Sequence, residues 1–438
     1  VPCSHVHADP PRFGEHRGIL SSTFLKYVVG MEASMKDIGF PLPIGRTGAT
    51  LAALTLAVFH AACTSNMDSQ AARSEFSSKQ RSITNSRGST SGAQGAASPS
   101  TSITTAPTGD VVLSTQEPVD VSQQQARAAS ELASQHEQSA QSLLRAASRS
   151  SWAALRAHAV EASAANATLL AELAPAALAD SNRGVRFVAC MAIAERPVPD
   201  LAIFVQPLLQ DESLSVRAAA TLALARCGKK IDPSPIAAMV FSNDPEVRAN
   251  AYLVLGELGN PSAIPMIRDS LGKGLELVNP LRVRLIDLSA AEALVKLGDQ
   301  REVEPIRAAL FAPPEQMELT AVACGAVGRL KDEPARPMLE RLLAVDGQAR
   351  RSPEIRLSAA LALVELGGSR DAALAVAREY VTNADGRIRA LVATLLGRLR
   401  SPQAVEALAA LVRDSDPTVQ VAAAGGLDAA EFGEPQTP

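Results

Sequence analysis

Aromatic residues are scarce in this chain, 3% of 438 residues, with one tryptophan and three tyrosines. So few rings leave little for nucleobases to stack on, and a formal net charge of −4 gives no electrostatic hold on a phosphate backbone. Nucleic acid is therefore set aside as a partner. Cysteine is equally sparse. Cys3, Cys63, Cys190, Cys227 and Cys324 form no CxxC pair and no zinc spacing, and they are too few for a disulfide framework. The six histidines end at His158, so the commonest general base is missing from the rest of the chain. His5 and His7 could face one ion, but no thiol or carboxylate cluster follows at ligand spacing. There is no HExxH, GxSxG, Walker loop or GxGxxG. No catalytic residue, metal site, cofactor or small-molecule substrate is expected.

What the chain does have is aliphatic surface: 47% of residues are apolar, mostly Ala, Leu and Val. From Thr47 to Ala62 sixteen residues carry no formal charge, fewer than the about 20 that a membrane span needs. Lys36 and Arg46 precede this run, Ala61 and Ala62 close it, and a Ser/Thr/Gln-rich tract follows, the order of an export signal. With a small residue directly before Cys63, the run resembles a bacterial lipoprotein signal, departing from it at His60, where an aliphatic is usual. The resemblance implies lipidation at Cys63 and a protein anchored to a membrane of the cell envelope, facing the periplasm or exterior. A cleaved signal without lipid, an uncleaved anchor and no export are the other readings. Met31 or Met35 would then be the start of translation, with residues 1–62 as upstream segment and signal.

Residues 63–121, including "SGAQGAASPSTSITTAPTG", lack periodic apolar positions and read as a disordered tether, with a root-mean-square reach of about 40 Å. Residues 122–150 are free of Pro and Gly and predict one helix with a thin apolar face, either a lid on the first repeat or partly solvated.

A repeat occupies residues 151–432, leaving 433–438 as a disordered tail. Aliphatic anchors at Val185, Val216, Val247, Ile286, Leu319, Ile355, Ile388 and Val419 are spaced by 31 to 39 residues, with a degenerate copy at Leu155. Counting from each anchor, small or aliphatic residues recur at positions 4, 7, 8 and usually 11, one stripe of a helix. Gly228, Gly259, Gly298 and Gly367 supply stops, and Asp244-Pro245 and Asp416-Pro417 supply capped starts. Second helices such as "SAIPMIRDSL", "EVEPIRAALF" and "PQAVEALAALV" lie between. These residues resemble the HEAT-like repeats of the group named after phycobilisome lyases. The resemblance implies an all-α, right-handed α-solenoid of about eight to nine helical pairs.

An arginine follows the anchor five times, at Arg186, Arg217, Arg248, Arg356 and Arg389. It is expected to be a structural ladder reaching loop carboxylates such as Asp211, Asp244 or Asp416. Arg268, Arg307 and Arg378, with Arg341 one residue on from its equivalent, sit beside the apolar stripe of the second helices. In such solenoids those helices are expected to line the concave face, where a basic track could meet an acidic partner. The functional expectation is a non-enzymatic scaffold for another protein. The alternative is a lyase or isomerase acting on a bilin or other prosthetic group, as some relatives do.

Overall fold

The computed structural model describes residues 121–275, 278–344 and 350–432, with the side chains of 121–130 and 430–432 excepted. Cys63, the signal and the tether lie outside the described residues. Among the described residues every regular element is helical, and the array is an α-solenoid.

A long helix, α1 (Val121–Ala147), leads into nine first helices alternating with eight second helices. In chain order these are α2 (Ala153–Ser163), α3 (Ala167–Leu178), α4 (Arg183–Glu195), α5 (Ala202–Val205), α6 (Leu214–Arg226) and α7 (Ser234–Met239). Next come α8 (Pro245–Leu258), α9 (Ile264–Ser270), α10 (Pro280–Lys296), α11 (Val303–Ala309), α12 (Met317–Leu330) and α13 (Arg336–Leu342). The last are α14 (Pro353–Glu365), α15 (Arg370–Tyr380), α16 (Gly386–Leu399), α17 (Pro402–Leu411) and α18 (Pro417–Phe432). The even-numbered helices are the anchored ones.

Their ends follow local chemistry. Asp244 accepts the amides of Glu246 (2.8 Å) and Val247 (3.4 Å), and Asp416 accepts that of Thr418 (2.8 Å), with proline at the first helical position in both. The four predicted stop glycines all take positive φ, from 70° at Gly259 to 108° at Gly298. At the same position of α12 and α16 stand Lys331 and Arg400, both left-handed without being glycine. Lys331 offsets that cost by donating to the Glu365 carbonyl of the next first helix.

Each first helix packs on the next, whereas the second helices pack mainly on the first helices that flank them. A layer whose members touch all round has the shorter circumference, so the first helices form the inner layer and the second helices the outer one. Burial agrees: in α4 every residue from Gly184 to Ala194 is buried, while α15 buries one face only. The expectation that the second helices line the concave side is corrected accordingly. The inner side is tight at one rim, where Arg183 on α4 reaches Glu246 on α8 (3.0 Å) past the intervening α6.

The array also closes. The last helix, α18, packs against α16 and α17 on one side and against α1 and α2 on the other. The largest cluster of buried apolar residues joins positions 140–297 directly to positions 357–427. Thus α1 is not a lid on the first repeat. It buries Ala140, Leu143, Leu144 and Ala147 and fills the outer-layer place between α18 and α2, so one helical pair is assembled from both ends of the described chain.

Candidate functional site

The inner layer follows a rule at the ninth residue after each anchor. A Cβ built on Gly256 would lie 3.0 Å from the Cα of Ala293, one on Gly328 would lie 3.2 Å from the Cα of Ala362, and one on Gly397 would lie 2.7 Å from the Cα of Gly426. These glycines bring α8 to α10, α12 to α14, and α16 to α18 at backbone contact. The next junctions, α10 to α12 and α14 to α16, carry Val295 and Val364 at that position and pack less intimately. At the junction that closes the ring the residue is Asp428, fully buried. The glycines stand in the aligned motifs "VLGELG", "AVGRLK" and "LLGRLR", so their signal was visible, although its meaning depended on which helices meet.

The arginine ladder is structural, with partners that only partly match expectation. Arg186 Nε and Nη2 donate to both oxygens of Asp211 (2.7 and 2.9 Å), and Nη1 donates to the carbonyls of Asp180 and Ser181. Arg389 repeats this with Asp414 (2.7 Å twice) and the Asn383 carbonyl. The degenerate first copy does the same through Arg156 and Asp180. Each clamp joins a first helix to the turn that starts the next. Asp244 and Asp416 are helix caps and take no ladder guanidinium, because they stand two residues later in that turn. Arg217 donates to the Asp211 carbonyl, Arg248 to the carbonyls of Ser242, Ser270 and Lys273, and Arg356 to Glu379 and to Tyr380 Oη. Burial pushes the Asp414 carboxyl up, but Arg389 and the Asp416 amide outweigh it and hold it below the usual carboxylate range.

The four second-helix arginines do not form one track. Arg268 pairs with Asp299, and Arg307 grips Asp332 at 2.6 and 2.8 Å with Glu304 beside it. Arg341 and Arg378 are exposed. All four belong to the outer layer.

A ladder of opposite charges missed in the sequence crosses the inner layer one residue beyond the glycine position. Arg226 pairs with Glu257, Glu257 with Lys296, Lys296 with Glu292, and Glu292 with Arg329 through two bonds of 2.8 and 2.6 Å. Arg226, Glu257, Lys296 and Arg329 share that position; Glu292, four residues before Lys296, lies between the two like charges. On the same layer's rim, burial raises the Glu246 carboxyl to about 7, against the pull of Arg183 and with Asp244 adding to the rise.

The cysteines of the array are packing residues. Cys190, Cys227 and Cys324 are buried and free, and burial pushes the Cys324 thiol up to about 12 and the Cys190 thiol higher still. Among the described residues no group of three or more His, Cys, Asp or Glu could hold a metal ion, and no helix is long and apolar enough to cross a membrane.

The model of the family described as HEAT repeats matches residues 170–240 and 376–438. Two stretches of the chain thus carry HEAT repeats. The matched stretches lie on either side of the closure and include α18 itself. Among curated proteins none matches the sequence. Similar solved structures include human deoxyhypusine hydroxylase in complex with glycerol, at 18% identity and a TM-score of 0.32 over 59% of this chain and 95% of that one. Two engineered proteins align at 18% identity each, with TM-scores of 0.26 (66% of this chain, 88% of that one) and 0.24 (59% and 94%). Superpositions this loose carry neither shape nor chemistry to this chain.

Proposed function

We propose that this HEAT-repeat array is a non-enzymatic scaffold that binds another protein, held at the bacterial cell envelope through a lipid on Cys63. The observation that carries the binding role is the placement of phenylalanine. Four phenylalanines have described side chains, and only Phe187 is buried; Phe204, Phe241 and Phe311 are exposed on the outer layer. Phe204 adjoins Ile203, which is 70% exposed. A chain poor in aromatics that leaves three of its four described phenylalanines on solvent supports a contact surface, because large rings supply much of the binding energy at protein interfaces.

The test is site-specific photo-crosslinking of the full chain in its own cells, with the probe at Phe204, Phe241 or Arg378. The expected result is one protein adduct shared by the two aromatic positions and absent at Arg378. No adduct at either aromatic, or the same adducts at all three positions, would overturn the reading.

The anchoring rests on the uncharged run before Cys63 and the polar tract after it. Its test is intact mass and membrane partition of the protein against Cys63→Ala. An added acyl mass and membrane retention, both lost in the variant, are expected. A soluble product that keeps Leu51 to Ala62 would sink it.

A further inference from the structure

Asp428 sets the closing junction apart from the others. Where Val295 and Val364 stand at two less intimate junctions, this one carries a fully buried carboxyl. Its Oδ1 accepts from Gln141 Nε2 on α1 (3.2 Å) and from Asn166 Nδ2, the cap residue of α3 (3.4 Å). Its Oδ2 has no hydrogen-bond partner among the described residues. Glu137 on α1 repels its charge; Arg145 on the same helix attracts it but is committed to Glu172 at 2.9 Å. Of the other helices against α18, α2 carries Arg156, His158 and Glu161, α16 carries Arg387, Arg389 and Arg398, and α17 carries Glu406; the leading influences on the Asp428 carboxyl are burial and the groups of α1 and Asn166.

The contact beside that carboxyl is close. A Cβ on Gly425 would meet the Cβ of Ala162 at 2.7 Å, so α18 and α2 touch there through small residues. The clamp position is also vacant of arginine: α18 carries Gln420, which donates to the Asp414 carbonyl on its α16 side.

We propose that the ring opens at this seam by release of α1 from α18, and that the ionisation of Asp428 governs how readily it opens. In the closed ring a neutral carboxyl costs less than an ionised one, which leaves a charged oxygen desolvated and unpaired. Opening hydrates the carboxylate and releases the proton to solvent; closing takes one up. Burial lifts the closed-state carboxyl above the ordinary 3.8. Closure is therefore favoured most below that ordinary value and weakens as pH rises through the raised one, by about tenfold per pH unit in between.

Amide hydrogen exchange of the full chain from pH 4 to 8 tests this, with α1 amides referred to those of α6, a helix without acidic residues, after correction for intrinsic rates. The wild type should lose α1 protection relative to α6 as pH rises, by up to about tenfold for each pH unit between the ordinary aspartate value and the raised one, while Asp428→Asn stays flat. The emission of Trp152, the sole tryptophan, which lies between α1 and α2, should shift over the same range. Should asparagine weaken folding, Asp428→Val copies the residue at two other junctions and is expected to keep α1 protected at every pH. Wild-type α1 protection that tracks α6 throughout, or a variant that retains the wild-type dependence, would overturn the proposal.

Discussion

Helix α18 has two unlike sides. Toward α16 it meets Gly397 at backbone contact, and the turn before it is clamped by Arg389 on Asp414; toward α1 and α2 it presents Asp428 to a junction without a clamp. The two carboxyls are shifted in opposite directions. Asp414 is held low by its guanidinium, so the α16 side is secure above the ordinary aspartate value and weakens as pH falls through the lowered one. Asp428 is raised by burial, so the seam is secure in acid and weakens as pH rises. One helix thus belongs to the array permanently on one side and conditionally on the other, which is how a closed ring can have a single opening place.

Five substitutions would break or sharpen that contrast. The largest effect is expected from Arg389→Ala, which leaves a half-buried Asp414 without its fork of two bonds; it should cost about 3 kcal/mol in urea unfolding. A loss below about 1 kcal/mol would mean that the clamp does not hold the α16 side. Gly397→Val forces α16 and α18 apart and should cost about 2 kcal/mol, with α18 amides losing protection first. Unchanged stability would show that the backbones do not meet.

The paired change Gly425→Ala and Gly325→Ala should have opposite signs, although the two glycines occupy the same repeat position. At Gly325 the new methyl meets Arg329 Nη1 at 3.0 Å, an end of the guanidinium that does not hold Glu292 and has to give by only a few tenths of an ångström, and the gain in helix propensity is about 0.5–1 kcal/mol. At Gly425 it meets Ala162, so the seam should loosen and α1 protection fall. Equal effects would erase the distinction between seam and interior. The smallest is Glu246→Gln, on the rim away from α18. The Glu246 carboxyl, raised from 4.5 to about 7, contributes stability that is lost as pH rises through about 7. The glutamine variant should flatten the array's unfolding midpoint between pH 5 and 8 by about 1 kcal/mol and leave the seam's pH response intact. A change in that response would tie the two sites together.

Much of the local architecture was legible. The anchors, stop glycines and Asp-Pro starts are short-range signals, and the helices obey them because capping and left-handed stops are settled within a few residues. The five arginines that follow an anchor were expected to form a structural ladder, and each donates to groups outside its own helix. Their partner was read correctly at Asp211 but not at Asp244 or Asp416, since two acids in one turn are two residues apart and only the fold says which the fork reaches. The basic track failed for a related reason. Arg268 and Arg307 look solvated on their own helices, and Asp299 and Asp332, which take them, come from the turn of the next unit.

By itself the sequence determined an all-helical repeat array, the ends of its helices and the spacing of its units, because each depends on residues near one another in the chain. Only the tertiary structure decided which layer faces inward, which junctions are tight, and that the array closes. Closure joins Gln141 to Asp428 across 287 residues. It depends on small rotations summed over nine first helices, which no single repeat encodes.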